Sequence, residues 1–370
     1  GAIRIFKWMP SLNCFGNGIS TCNSQYQSSF ATGWPIQSGH VFSHGLNTYI
    51  LVSRTAADSY VYKWTPFVSG NGCPASGGFG NGTACGTRLP TTIPQAGNVD
   101  RQAMLETGGE VYLATRGPNA GWTTFIMKWT PALECFGNGS ACYPSVLQPI
   151  GQGQTVPYMI FTAAGNSFLA GSAGTTNTSM RIFKAASIPC FGDDTGCGVD
   201  LQEIRGDATL DLEPFIVGAD QFVARADNDT ASSRVYKWNT TARCLGTGAS
   251  GSGCATATNE TSFQTIPTTD IRDFEAHRVG ANTLLMAANH DSTLSLQTYQ
   301  YTSGATPGTL IQTLALGPVL NSDATTTANG VDTFLAVGRD ASSNSTQIFK
   351  WSGTCWGNGT SCAGSTYQIL

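Results

Sequence analysis

Charge is scarce in this chain. Only 11% of its 370 residues are Asp, Glu, Lys or Arg, and the net charge is −4. No basic stripe is available to track a phosphate backbone, which excludes nucleic acid as a partner. Long apolar runs are missing too: no segment approaches the roughly 18 consecutive apolar residues of a membrane span. Gly, Ser, Thr and Asn are abundant beside β-branched and aromatic residues. That balance excludes long helices and suits many short strands joined by turns. No positively charged, apolar leader precedes Gly1-Ala2-Ile3, which already reads as strand, so either a signal peptide has been removed or the chain is a fragment. Catalytic patterns are lacking as well. His40, His44, His277 and His290 are scattered, Gly165-Asn166-Ser167 has no strand-to-helix context for a nucleophile elbow, and no GK[ST] follows a Gly-rich loop. The expectation is a protein that is not an enzyme and requires no cofactor.

Lysine is rarest where it is most informative. The chain has six, and every one stands in the same slot of a repeated stretch: Arg4-Ile5-Phe6-Lys7-Trp8, Val61-Tyr62-Lys63-Trp64, Ile126-Met127-Lys128-Trp129, Ile182-Phe183-Lys184-Ala185, Val235-Tyr236-Lys237-Trp238 and Ile348-Phe349-Lys350-Trp351. A weaker copy, Thr298-Tyr299-Gln300-Tyr301, fills the one long gap. The period averages about 57 residues, within or just beyond the range of propeller repeats.

Each copy sits in a fixed frame. A second strand precedes it by 14 to 16 positions with a leading aromatic or leucine, as in Tyr49-Ile50-Leu51-Val52, Phe222-Val223-Ala224 and Phe334-Leu335-Ala336-Val337. Gly with a polar residue or two stands just before, the chemistry of a tight hairpin to a first strand, placed near Gly39 to His44 in the first full copy. A fourth strand follows as apolar-Gln-x-apolar in most modules, from Leu147-Gln148 to Tyr367-Gln368; Leu89-Pro90-Thr91-Thr92-Ile93 breaks the pattern. Four short antiparallel strands per repeat describe a propeller blade. Alternation in the third strand puts Ile and Lys on one face and Phe/Tyr and Trp on the other, so the aromatics can pack on a neighbouring blade while the lysine stem lies along apolar surface.

The pairing of a Tyr/Phe-Leu-Ala-Val strand with an Ile-Tyr/Phe-Lys-Trp strand resembles the EAR repeat, also called EPTP, of secreted epitempin-type proteins. The resemblance implies a seven-bladed β-propeller that is not catalytic and binds other extracellular proteins. With the strand count, the expected fold class is an all-β β-propeller of six or seven four-stranded blades. The longer repeats and the Cys-x-Gly-Asn-Gly loops of this chain depart from that family.

Twelve cysteines fall into six close pairs, Cys14/Cys22, Cys73/Cys85, Cys135/Cys142, Cys190/Cys197, Cys244/Cys254 and Cys355/Cys362, each just after one lysine copy; the Tyr299-Gln300-Tyr301 module has none. Two per repeat is the arithmetic of local disulfides in an oxidising compartment, each stabilising by about 2–3 kcal/mol. N-x-[ST] occurs at Asn81, Asn138, Asn177, Asn228, Asn239, Asn259, Asn344 and Asn358, all read as lying between strands. A secreted, extracellular glycoprotein carrying N-linked glycans is the expectation.

Strand counting gives one propeller domain over 1–370, with six full blades in 32–370 and a surplus half blade of outer strands in 1–31. The half blade either decorates a six-bladed ring, belongs to a seventh blade completed by an upstream segment, or pairs with strands of a neighbouring molecule. The last option makes a head-to-tail filament, with copies of the chain itself as partners. Two other features have paired readings. Asp100, Asp211, Asp273 and Asp323 stand 11 or 12 positions before the leading residue of the second strand; they either converge to hold Ca²⁺ in a central channel or hydrogen-bond turns and backbone amides between blades. Trp8, Trp64, Trp129, Trp238 and Trp351 either stack on sugars, as in a lectin-like module, or pack between blades.

Overall fold

The computed structural model describes residues 2–16, 22, 28–31, 36–54, 57–75, 77–90, 92–93, 102–116, 123–150, 156–173, 179–187, 190–193, 195–197, 199–206, 209–227, 232–249, 253–256, 259, 261–267, 270–290, 295–327, 330–339, 346–362 and 365–370. All regular elements among them are strands. Six successive antiparallel sheets of four or five strands, from Ile36 to Ile369, are the blades of an all-β propeller. The chain divides into two compact units. One comprises Gly1–Phe161, Ser167–Gly171 and Phe183–Leu201; the other comprises Thr162–Asn166, Ser172–Ile182 and Gln202–Leu370.

Blade two shows the plan. Its first strand Gln102–Thr107 pairs with the second, Glu110–Arg116, which pairs with the third, Thr124–Thr130. The third strand then takes two short partners on one edge. Cys135–Gly137 pairs with its end through Trp129↔Phe136 and Thr130↔Cys135, while Gln148–Ile150 pairs with its start through Thr124↔Ile150 and Ile126↔Gln148. The cysteine segment expected as a loop therefore begins with a strand here, while in blade one the short strand Gly78–Gly80 lies inside the segment. The N-terminal piece has the same outer plan: Lys7–Met9 pairs with Cys14–Gly16, and Ala2–Ile5 pairs with Ser28–Ala31. The first strand of blade one runs Ile36–His44, three residues longer at its start than the turn chemistry predicts.

Local chemistry explains the register. In the hairpin between first and second strands of blade four, Val217 pairs with Asp220 across Gly218-Ala219. Gly218 has φ +63°, which suits the first position of a II′ turn and matches the twist of the strands. The leading aromatic of the second strand falls directly opposite the lysine: Tyr49↔Lys63, Tyr112↔Lys128, Phe222↔Lys237 and Phe334↔Lys350. Beneath it lies the aromatic of the first strand, stacked at 5.1 Å in Phe42–Tyr49 and in Phe215–Phe222.

Packing between blades follows from these side chains. In one unit Trp129 is fully buried, with its ring 5.1 Å from Phe136 of its own cysteine strand and 5.1 Å from Phe42 of blade one. In the other, Tyr301 of blade five lies 5.1 Å from Phe215 of blade four within a cluster that includes Phe222, Val235, Phe274 and Leu285. Each such residue removed from water contributes about 1.5–3 kcal/mol. These contacts account for the aromatic face of the third strand.

Candidate functional site

The lysine slot becomes a clamp in space. Lys128 Nζ lies 2.8 Å from Glu110 Oε1, Lys237 Nζ 3.0 Å from Asp220 Oδ1, and Lys350 Nζ 2.7 Å from Asp332 Oδ1. Each acid belongs to the start of the second strand or the turn before it, so the clamp ties the third strand back to the first hairpin. In blade one that position is Asn47, and Lys63 instead reaches Glu134 of the blade-two loop at 2.6 Å, where the Tyr49 hydroxyl also donates at 3.0 Å. Below the charge, the lysine stem lies against the glycine of the cysteine loop; a Cβ on Gly139 would stand 3.1 Å from Lys128 Cδ. Gly139 also has φ +91°, a backbone conformation that strains any residue with a side chain.

The six disulfides are Cys14–Cys22, Cys73–Cys85, Cys135–Cys142, Cys190–Cys197, Cys244–Cys254 and Cys355–Cys362, with Cα separations of 4.9–5.9 Å. Five of them, all but Cys14–Cys22, close loops so tight that a Cβ on Gly80, Gly137, Gly192, Gly246 or Gly357 would overlap the carbonyl preceding the second cysteine.

The glutamine of the last strand joins successive modules. Gln148 Nε2 donates to the Phe191 carbonyl at 2.9 Å, and Phe191 N–H donates back to Gln148 Oε1 at 2.8 Å. Gln202 holds both backbone groups of Leu245 in the same way, and Gln312 those of Trp356. Gln264 holds Gly308 and also accepts the Tyr301 hydroxyl at 2.6 Å. A primary amide matches a backbone N–H and C=O donor for acceptor, so each clamp engages both groups of one residue in the next module; the Leu245 carbonyl also accepts the Ala255 N–H at 2.9 Å. The sequence pattern marked these glutamines as strand residues and missed what they bind.

The acidic residues form a ladder on the first strands of blades four to six. Asp211 Oδ2 accepts the Phe274 N–H at 2.9 Å and Glu213 Oε1 the Ala276 N–H at 3.1 Å. One blade on, Asp273 Oδ2 accepts the Ser322 N–H at 2.9 Å and Glu275 Oε1 the Ala324 N–H at 3.2 Å. The first strand is an edge of its sheet, and alternate N–H groups along that edge are met by Asp-x-Glu of the preceding blade. Burial pushes the Glu213 carboxyl well above the usual range, with the charges of Glu275 and Asp211 adding to it. Burial, then the charge of Asp323, raises Glu275 to about 8. Burial also raises Asp323 and lowers His277, whose Nε2 lies 2.7 Å from Thr326 Oγ1.

Of the four aspartates read as equivalent, Asp100 lies outside the described residues. Asp211 and Asp273 share a register, four residues before the partner of the second strand's leading residue. Asp323 does not: it pairs with Ala336 as Glu213 pairs with Ala224 and Glu275 with Met286, and Asn321 takes the place of the other two aspartates. The count through the hairpin failed because this turn joins Thr326 to Thr333, not the two-residue turn of blades four and five. Glu213 and Glu275 were missed, although Asp-x-Glu alternation in both strands signals them. Among the described residues, no three His, Cys, Asp or Glu side chains are placed to hold a metal ion.

The remaining expected sites divide. Trp129 and Trp238 are buried, and Trp64, Trp129 and Trp351 pack at 5.0–5.3 Å on the aromatic of the short strand beside them, Phe79, Phe136 and Trp356. Trp8 packs on Phe15 in the same way. Asn81, Asn138, Asn259 and Asn358 lie outside the named strands, and Asn177, Asn228 and Asn344 lie outside the described residues. Asn239 departs from the expectation that all eight lie between strands: it is the last residue of Ser232–Asn239 and is 5% exposed.

The fold and these repeated clamps define an all-β repeat propeller. The EPTP domain model matches residues 199–239, from the last strand of blade three to the end of the third strand of blade four, which bears out the EAR/EPTP resemblance. No curated protein matches the chain. Among solved structures, the periplasmic gluconolactonase PpgL of Pseudomonas aeruginosa aligns with a TM-score of 0.55 at 9% identity, over 99% of this chain and 91% of that one. A protein of Bacteroides fragilis described as a 6-phosphogluconolactonase aligns with a TM-score of 0.53 at 10% identity, over 90% and 86%. At these identities the likeness is one of fold.

Proposed function

We propose that this chain is a secreted, non-catalytic scaffold that acts through protein–protein contacts and assembles head to tail into an extracellular filament. One observation carries the reading. The N-terminal piece repeats the outer half of a blade in two two-stranded sheets, and Ile3 and Ile5 pack on the blade-one cluster of Ile50, Val52, Tyr62 and Phe79. It thus sits against blade one as a preceding blade would, and in every full blade the edge beyond its third strand is taken by a second strand. Exchange of a strand between neighbouring copies at this half blade would be a heterologous contact, and its repetition gives a fibre. The glutamine clamps support the same reading, because they recognise backbone and transfer between copies without side-chain matching.

Six disulfides accord with an extracellular setting. Among the described residues no helix is long and apolar enough to cross a membrane. The EPTP match supports an interaction module over an enzyme. Against the lactone-hydrolase alternative raised by the fold neighbours, Asp211, Glu213, Asp273 and Glu275 are engaged in holding the first strand of the next blade. Sedimentation of the full mature chain over a concentration series should show open-ended association. A single compact monomer at the highest concentration would count against the filament, and turnover of δ-gluconolactone by the purified protein would count against a non-catalytic role.

A further inference from the structure

Five sequon asparagines lie among the described residues, and the structure separates them into two kinds. In Asn81-Gly82-Thr83, Asn138-Gly139-Ser140 and Asn358-Gly359-Thr360 the same turn is built three times. The asparagine Oδ1 accepts the hydroxyl two residues on at 2.8, 2.9 and 2.9 Å. It also accepts the N–H of that residue at 3.0 Å in all three, and the next N–H at 2.9, 2.8 and 2.8 Å. With three donors gathered on Oδ1, the planar amide turns Nδ2 away from the loop. Asn358 is exposed, and Asn81 and Asn138 are half-buried.

The turn does not depend on a sugar for its shape. Its middle glycine has φ of 90°, 91° and 89° in the three copies and rests on the stem of Lys63, Lys128 or Lys350. Blade three supplies a natural control, with Asp193 where the others have asparagine. Its Oδ1 accepts the Thr195 hydroxyl at 2.6 Å, the Thr195 N–H at 2.8 Å and the Gly196 N–H at 3.1 Å, so the turn forms without an amide nitrogen. These hydrogen bonds, the hydroxyl first, hold the Asp193 carboxyl below its usual range.

Asn259 is exposed, and its Oδ1 accepts the Thr261 hydroxyl at 2.6 Å. Asn239 is the opposite case. Its Nδ2 donates to the Ala249 carbonyl inside the cysteine loop, and its Oδ1 accepts the Ala242 N–H at 2.9 Å. A glycan on Asn239 Nδ2 would displace the loop that the amide holds.

We propose that Asn81, Asn138, Asn259 and Asn358 are the glycan acceptors among the described residues and that Asn239 is left unmodified. The donor is a lipid-pyrophosphate-linked oligosaccharide. Transfer forms the bond from Nδ2 to the sugar C1, breaks the C1–O bond to pyrophosphate, and gives up one Nδ2 proton as the lipid pyrophosphate leaves. The sequon alone treats the five sites alike; the fold sorts them by where Nδ2 points.

The test uses the full chain secreted from a eukaryotic host. Release of glycans by peptide-N-glycosidase in water labelled with heavy oxygen converts each occupied asparagine to labelled aspartate, read by peptide mass spectrometry. Label is expected at Asn81, Asn138, Asn259 and Asn358 and not at Asn239. Label at Asn239 equal to that at the others, or no label at any of the three Asn-Gly sites, would overturn the proposal. A triple variant, Asn81→Asp, Asn138→Asp and Asn358→Asp, borrows the residue that blade three already uses. It should keep the all-β circular dichroism spectrum and lose the mass of three glycans; an intact mass changed only by the substitutions themselves would equally overturn the proposal.

Discussion

Blades five and six solve the same problem with different chemistry. Blade five has no cysteine, and its outermost strand Thr309–Leu314 pairs along the whole third strand, from Leu296↔Leu314 to Gln300↔Thr309. Blade six divides that edge between Trp356–Gly357, stapled by Cys355–Cys362, and Gln368–Ile369. Where blade six has Lys350 and Trp351, blade five has Gln300 and Tyr301. Between these two blades the staple, the lysine clamp and the loop glycine come and go together, whereas blade three keeps Lys184 and the Cys190–Cys197 bridge with Asp194 in the glycine's place. What both blades keep is the glutamine clamp from the preceding blade, which holds Gly308 in one and Trp356 in the other. Inter-blade docking is thus the constant element, and the disulfide is a local way to finish an edge.

The largest effect should come from the clamp into blade five. Gln264→Ala leaves the Gly308 peptide and the Tyr301 hydroxyl without partners and should cost on the order of 3 kcal/mol by denaturant unfolding. Gln312→Ala strands only the Trp356 peptide; equal losses in the two variants would show that the Tyr301 hydroxyl contributes nothing.

Next in size is the staple. Cys355→Ala with Cys362→Ala should cost about 2.5 kcal/mol, from a loop of this length. Amide exchange should quicken across Trp356–Gly357 while Thr309–Leu314 stays protected, and matching exchange in both segments would dissolve the distinction between the blades.

The first strands should respond to pH in the same way whether or not the disulfides are formed. Glu275 is raised in the folded state to about 8. Its stabilising, protonated form is fully present below the ordinary carboxylate pKa and is lost as the pH climbs through about 8. Stability should fall by about 2 kcal/mol between pH 5 and pH 7, and Glu275→Gln should flatten that slope. A slope unchanged in the variant would assign the pH response elsewhere.

The smallest effect tests the lysine. Lys350→Gln imports the blade-five residue and breaks a half-buried pair with Asp332, which should cost about 1 kcal/mol and depend on salt. A loss of several kcal/mol would mean that the stem's contact with Gly359 outweighs the charge.

The repeat was legible in the sequence because strand alternation and pairing register leave a periodic trace: the 14 to 16 positions from Phe222 to Lys237 and its counterparts are a directly opposed pair. The cysteine bridges were legible for the same reason, two per period. Partners in the next module leave no such trace. Gln148 and Phe191 are 43 residues apart, and what Gln148 binds is a backbone group that any residue presents. Asp323 was misplaced because a spacing counted across a turn carries the turn's length with it. Asn239 was misread because its neighbours Thr240 and Thr241 look like loop, while the strand register of Val235 carries the chain through to Asn239↔Cys244.

The most direct test of head-to-tail assembly is electron microscopy of the native, full mature protein. Fibres with an axial repeat of one propeller, and density for a neighbour's strand along the edge of Ala2–Met9, are the expected result. Isolated particles, with that edge filled from the same polypeptide, would contradict assembly by strand complementation.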